Sequence, residues 1–159
     1  MEYYSDMKAF YERGGATPIN YEMSAALLQD VVATMEQFIN GSSKVAGAYR
    51  FAHAETVLPL ETLLGYGDRT RLTAKFSKKD IDSRGFQGAA LSPFAANVQF
   101  RLYTSGSKAS PKYYVQVLVN EQDDVKLPGC GHVRCEWAKV RKLWRHYLED
   151  IHLEEACRV

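Results

Sequence analysis

The chain has 159 residues, 46% of them hydrophobic and 25% charged, with a formal net charge of +1. That is long enough for one domain with a sizeable core, and the composition is that of an ordinary globular protein. The near-neutral balance gives no argument for nucleic acid or an anionic membrane surface, and no apolar run approaches the roughly 18 residues of a spanning helix.

Residues 1–13 read as a short helix that stops at Gly14-Gly15. Residues 20–39 read as one long helix, with Asn20 as its N-cap and Gly41-Ser42-Ser43 as its exit. Met23, Leu27, Val31, Met35 and Phe38 would form its core-facing stripe. Val45 to Ala52 carries no charge before Arg50 and predicts a mostly buried strand. Val57, Leu58, Leu60, Leu63 and Leu64 then recur at helical spacing and stop at Gly65. A polar connection follows from Asp68 to Ser92. Phe94, Ala96, Val98, Phe100 and Leu102 alternate with more polar neighbours, and Tyr113, Val115, Val117 and Val119 do the same. With the turn-rich stretch 104–111 between them, these runs predict an antiparallel hairpin. Trp137, Val140, Leu143 or Trp144, Tyr147, Leu148 and Ile151 mark a closing helix. The sum is an α/β protein, with a helical segment over 1–43 ahead of the α/β part over 44–159.

The chemistry concentrates in Arg50-Phe51-Ala52-His53-Ala54-Glu55-Thr56, where the strand-like run gives way to the helix-like run. Open α/β sheets carry ligand chemistry at strand ends, and a helix N-terminus presents free N–H groups to an anion. A histidine there can bind a phosphoryl group. A glutamic acid held in a partly desolvated pocket keeps its proton at mildly acidic pH and can give it to a leaving alkoxide. Strand alternation sets Arg50 and Ala52 on the face opposite Phe51 and His53, away from the site. Arg69, Arg71, Lys75, Lys78, Lys79 and Arg84 form a basic run. It reads either as a contact surface for a multiply phosphorylated substrate or as a solvated loop with Asp68, Asp80 and Asp82 interspersed. Gly14-Gly15 and Gly65-Tyr66-Gly67 lack the Lys-Ser/Thr of a P-loop.

Three cysteines make an odd count. In an oxidising compartment Cys130 and Cys135 would close a small loop and leave Cys157 over. A zinc site drawing on Cys130, His132, Cys135 and His146 is the second reading, against which the loose spacing counts. Free cytosolic thiols are the third. His132, His146 and His152 read most simply as surface residues.

Phe51-Ala-His-Ala-Glu-Thr-Val-Leu-Pro-Leu60, with Leu63-Leu-Gly-Tyr66, resembles the C-terminal part of the multiple inositol polyphosphate phosphatases, in the histidine acid phosphatase branch of the phosphoglycerate-mutase-like superfamily. The likeness continues, in order, through Leu72-Thr-Ala74, Ser92-Pro-Phe-Ala-Ala-Asn97 and Val117-Leu-Val-Asn-Glu121. It is weaker at Ile19-Asn-Tyr-Glu-Met23 and Leu127-Pro-Gly-Cys130. The resemblance implies part of a three-layer α/β/α domain, with His53 binding phosphate and Glu55 donating a proton. It further implies hydrolysis of inositol hexakisphosphate or 2,3-bisphosphoglycerate through a phosphohistidine, with no metal or organic cofactor, in the secretory pathway. The first residues, Met1 to Asp6, lack the pattern of a signal peptide. The family's Arg-His-Gly nucleophile motif is absent; the one Arg-His, Arg145-His146, precedes Tyr147. The expectation is therefore half an active site, inactive alone. The alternative is a truncated, non-catalytic relative that serves as a binding module.

Overall fold

The computed structural model describes residues 1–153. They group into two compact units that interleave in sequence, and neither coincides with a division at residue 43.

The first unit combines residues 1–24 with 52–97. Helix α1 (Glu2–Arg13) turns Tyr3, Asp6 and Phe10 inward, a spacing of three and four that puts them on one face. Phe10 meets Phe86 edge-on, with ring centroids 5.3 Å apart, in a core completed by Tyr3, Leu58 and Leu72. The Tyr3 hydroxyl donates to the Thr73 carbonyl at 2.6 Å, which ties α1 to the polar connection. A short helix α2 (Ile19–Glu22) follows. Helix α4 (Ala54–Leu64) packs against α1 and α2, and Leu58, Leu60, Leu63 and Leu64 are buried. It stops because Gly65 adopts φ +90°, which lets the Tyr66 N–H reach the Glu61 carbonyl at 2.9 Å. Pro59 lies inside α4 and has no N–H to give the carbonyl of Glu55 one turn earlier. The polar connection holds two more short helices, α5 (Lys78–Asp82) and α6 (Gly88–Leu91), and a Ser77/Asp80 capping box opens α5.

The second unit combines residues 25–51 with the chain from Val98 onward. Helix α3 (Ala25–Ile39) buries Ala25, Leu28, Val31, Val32 and Met35. The predicted hairpin is present: β1 (Val98–Ser107) pairs antiparallel with β2 (Ser110–Val119), from Val98 opposite Val119 to Ser107 opposite Ser110. The strands extend through most of the turn-rich stretch, leaving Lys108-Ala109 at the tip. A two-residue strand β3 (Cys135–Glu136) adds to β2. Val115 to Val119 are consecutively buried. Within that run Gln116 stays satisfied by accepting from Tyr103 at 2.9 Å and donating to the Asp123 carbonyl at 2.8 Å. Helix α7 (Trp137–Leu143) packs on β2, and Trp144 meets Phe100 edge-on. A π-helical turn over His146–Asp150 follows, and the Gln29 amide donates to the Tyr147 carbonyl at 2.8 Å and to the Ile151 carbonyl just past the turn at 3.1 Å.

Three sequence expectations change. The long helix over 20–39 breaks at Met23-Ser24, and Asn20 is not its cap, since its amide donates to the Tyr11 carbonyl at 2.8 Å. Met23 and Phe38 are exposed, because the buried stripe runs through Leu28 and Val32. The expected strand over 45–52 is not formed: this stretch has no regular secondary structure, and Tyr49 and Phe51 are exposed. Among the described residues no sheet neighbour takes up its backbone groups. Its apolar side chains therefore stand in solvent.

Candidate active site

His53 is the N-cap of α4, with extended backbone, and its carbonyl accepts from the N–H groups of Thr56 and Val57 at 2.9 and 3.2 Å. Its ring caps nothing and is exposed. Glu55 sits in the first turn, where a carboxylate suits the helix dipole. The desolvated pocket expected around it does not form: its side chain is 59% exposed. Its ion-pair partner is Arg13, at the end of α1, with Nη2 3.5 Å from Oε1. Arg13 also donates through Nη1 to Glu12 at 2.8 Å. Arg13 thus meets Glu55 in the first turn of α4, and the exposed His53 ring stands two residues earlier in the chain.

The three arginines of the basic run are spent on structure, whereas Lys75, Lys78 and Lys79 are exposed. Arg69 lies over the Tyr21 ring, 4.2 Å from its centroid, and donates to the Thr62 carbonyl at 2.9 Å. Arg71 donates to the Tyr11 hydroxyl at 3.1 Å. Arg84 is 8% exposed and bridges Asp6, at 2.5 Å, and Glu2, at 3.0 Å, while Nη1 donates to the Ile81 carbonyl. Arg84 is therefore a buried tie between α1 and the polar connection. Lys75 is exposed and its ammonium has no partner among the described residues. Arg50, expected near the motif on the opposite strand face, instead pairs with Asp30 of α3. Cys130 and Cys135 are joined in a disulfide, so neither sulfur is a thiolate for zinc. Cys157 lies outside the described residues.

Sequence reasoning missed two residues. Arg13 could not be linked to Glu55 by any local pattern. Glu61 sits within the apolar run Leu58–Leu64, is fully buried, and neither carboxyl oxygen has a hydrogen-bond partner. Burial pushes its pKa up from 4.5 to about 8. The nearby Tyr66 hydroxyl, also buried without a partner, is pushed up by burial and by the Glu61 charge. The sequence signal was a lone carboxylate in a leucine-rich helix.

The sequence model of the histidine phosphatase superfamily, branch 2, matches residues 1–120. The chain belongs to that superfamily. Its helices and small antiparallel sheet form part of this α/β domain. Human "Multiple inositol polyphosphate phosphatase 1" is 34% identical over 130 residues, which cover 77% of this chain and 26% of that protein. Its chicken counterpart is 30% identical over 166 aligned residues, covering 100% of this chain and 37% of that protein. The Dictyostelium discoideum protein of the same name is 32% identical over 111 residues, 69% of this chain and 17% of that protein. The chain therefore spans well under half the length of these superfamily relatives. No solved structure gives a significant match.

Proposed function

We propose that this chain is the C-terminal part of a histidine phosphatase that hydrolyses inositol polyphosphates through a phosphohistidine. His53 binds the phosphoryl group and Glu55 protonates the departing alkoxide. The same carboxylate then takes a proton from the water that cleaves the phosphoenzyme. Supporting this reading most directly is the His53-Ala54-Glu55 sequence at the exposed start of α4, in a chain whose named relatives are inositol polyphosphate phosphatases. The nucleophile comes from an Arg-His-Gly segment outside this sequence. Lys75, which is exposed and not engaged as the arginines of the basic run are, is a proposed outer contact for a polyphosphorylated ring. The Cys130–Cys135 disulfide supports a secretory-pathway location.

Alone, the chain should release no phosphate from inositol hexakisphosphate above a His53→Ala control. Turnover that disappears in that control would show that the nucleophile is already present. With the nucleophile-bearing part restored, Glu55→Gln should slow inositol phosphate hydrolysis far more than hydrolysis of an activated aryl phosphate, whose leaving group needs little protonation. His53→Ala should damage both comparably, because both need the phosphoryl group neutralised. Equal, mild losses for both variants on both substrates would assign the pair to structure and favour a non-catalytic binding module.

A further inference from the structure

Glu55 is exposed at the start of α4, and its ion-pair partner among the described residues is a guanidinium from another helix: Arg13 Nη2 stands 3.5 Å from Oε1.

We propose that Arg13 is a phosphate-binding residue of this site, exchanged from Glu55 to the substrate phosphoryl group. The inference rests on the phosphatase reading given above. The Arg13–Glu55 pair is 33% and 59% exposed. Exposed pairs of this kind hold by only about 0–1 kcal/mol, so a dianion with three acceptor oxygens displaces the carboxylate readily. The guanidinium offers five donors in a planar fork, suited to a phosphate while Nη1 keeps its bond to Glu12. Once Arg13 turns to the phosphate, Glu55 loses its ion-pair partner and gains a doubly charged neighbour.

The other charged groups on these elements leave Arg13 in control. Among the described residues Arg13 is the only ion-pair partner of Glu55. On α4 itself the neighbouring titratable group is His53. On α1, Glu12 competes for Arg13 and does not reach Glu55 as an ion-pair partner. The α2 residue Tyr21 lies under Arg69, and α6 carries no charged side chain.

The test is a titration of the full chain with inorganic phosphate, followed by NMR at the Arg13 guanidinium and the His53 ring. Both should shift saturably. Arg13→Ala should weaken binding about tenfold, with far-UV circular dichroism confirming the fold. Glu55→Gln should tighten binding about two- to fivefold, because it releases Arg13. That gain should shrink in the Arg13→Ala background, where only the repulsion between Glu55 and the phosphate remains to be relieved. The proposal fails if no saturable shift occurs, if Arg13→Ala binds phosphate normally, or if the Glu55→Gln gain is as large without Arg13 as with it. His53→Ala separates the two readings. Undiminished phosphate affinity in that variant removes the role given to His53 and leaves the Arg13–Glu55 exchange standing.

Discussion

Glu61 makes the stability of the first unit depend on pH in an unusual direction. The group is fully buried and has no hydrogen-bond partner among the described residues, and burial pushes its pKa up from 4.5 to about 8. Between those values the folded chain holds a proton that the unfolded chain has released. Stability from this group is therefore complete below pH 4.5 and is lost as pH rises towards 8. At about 1.4 kcal/mol per pH unit, the span amounts to at most about 5 kcal/mol. That is a large share of the roughly 5–15 kcal/mol available to a domain. Glu61→Gln keeps the shape and removes the titration. Urea unfolding followed by far-UV circular dichroism at several pH values from 4.5 to 8 should give a falling stability for the wild type. The variant should show a much flatter curve, with the two diverging steadily above pH 4.5. Parallel curves would mean that Glu61 finds a partner or water in solution, and the argument from its isolation would be wrong.

Other substitutions separate structure from chemistry. Arg84→Ala should destabilise the chain by about 3–5 kcal/mol, because it leaves Asp6, only 4% exposed, as an uncompensated charge; a double replacement of Arg84 and Asp6 by apolar residues should cost far less in denaturant melts. Phe10→Ala should cost about 3–5 kcal/mol by opening a cavity against Phe86, whereas Phe51→Ser, at a residue 97% exposed, should change the unfolding midpoint hardly at all. Cys130→Ser should cost about 2 kcal/mol, the constraint expected from so short a loop. Non-reducing peptide mapping of the wild type should recover the linked pair, and free thiols at both positions would contradict it.

The elements legible in the sequence were those fixed by local signals. Helix α1 ends at paired glycines and α4 ends at Gly65, where the left-handed conformation needs a glycine. The hairpin was written in two alternating runs. What escaped depended on residues distant in sequence. The break at Met23-Ser24 has no glycine or proline to announce it, since both residues are ordinary inside a helix. Residues 45–52 have a strand's composition, yet a strand exists only where a neighbour accepts its hydrogen bonds. The two residues of β3 carry too little pattern to be seen. At the site, His53 and Glu55 stood out because they are adjacent in sequence. Arg13 did not, because α1 and α4 are brought together only by packing. The basic run could be counted but not sorted, and aromatic rings and buried carboxylates decided which arginines were already engaged.

Pro59 gives α4 two mechanical parts. Beyond it, residues 60–64 are packed and buried, whereas before it residues 53–55 stand in water. Pro59 leaves the Glu55 carbonyl without its helical donor, while the His53 carbonyl takes the N–H groups of Thr56 and Val57. The turn that carries the imidazole and the carboxyl is thus one hydrogen bond short of a regular helix start, and the leucine-rich remainder of α4 is its buried anchor.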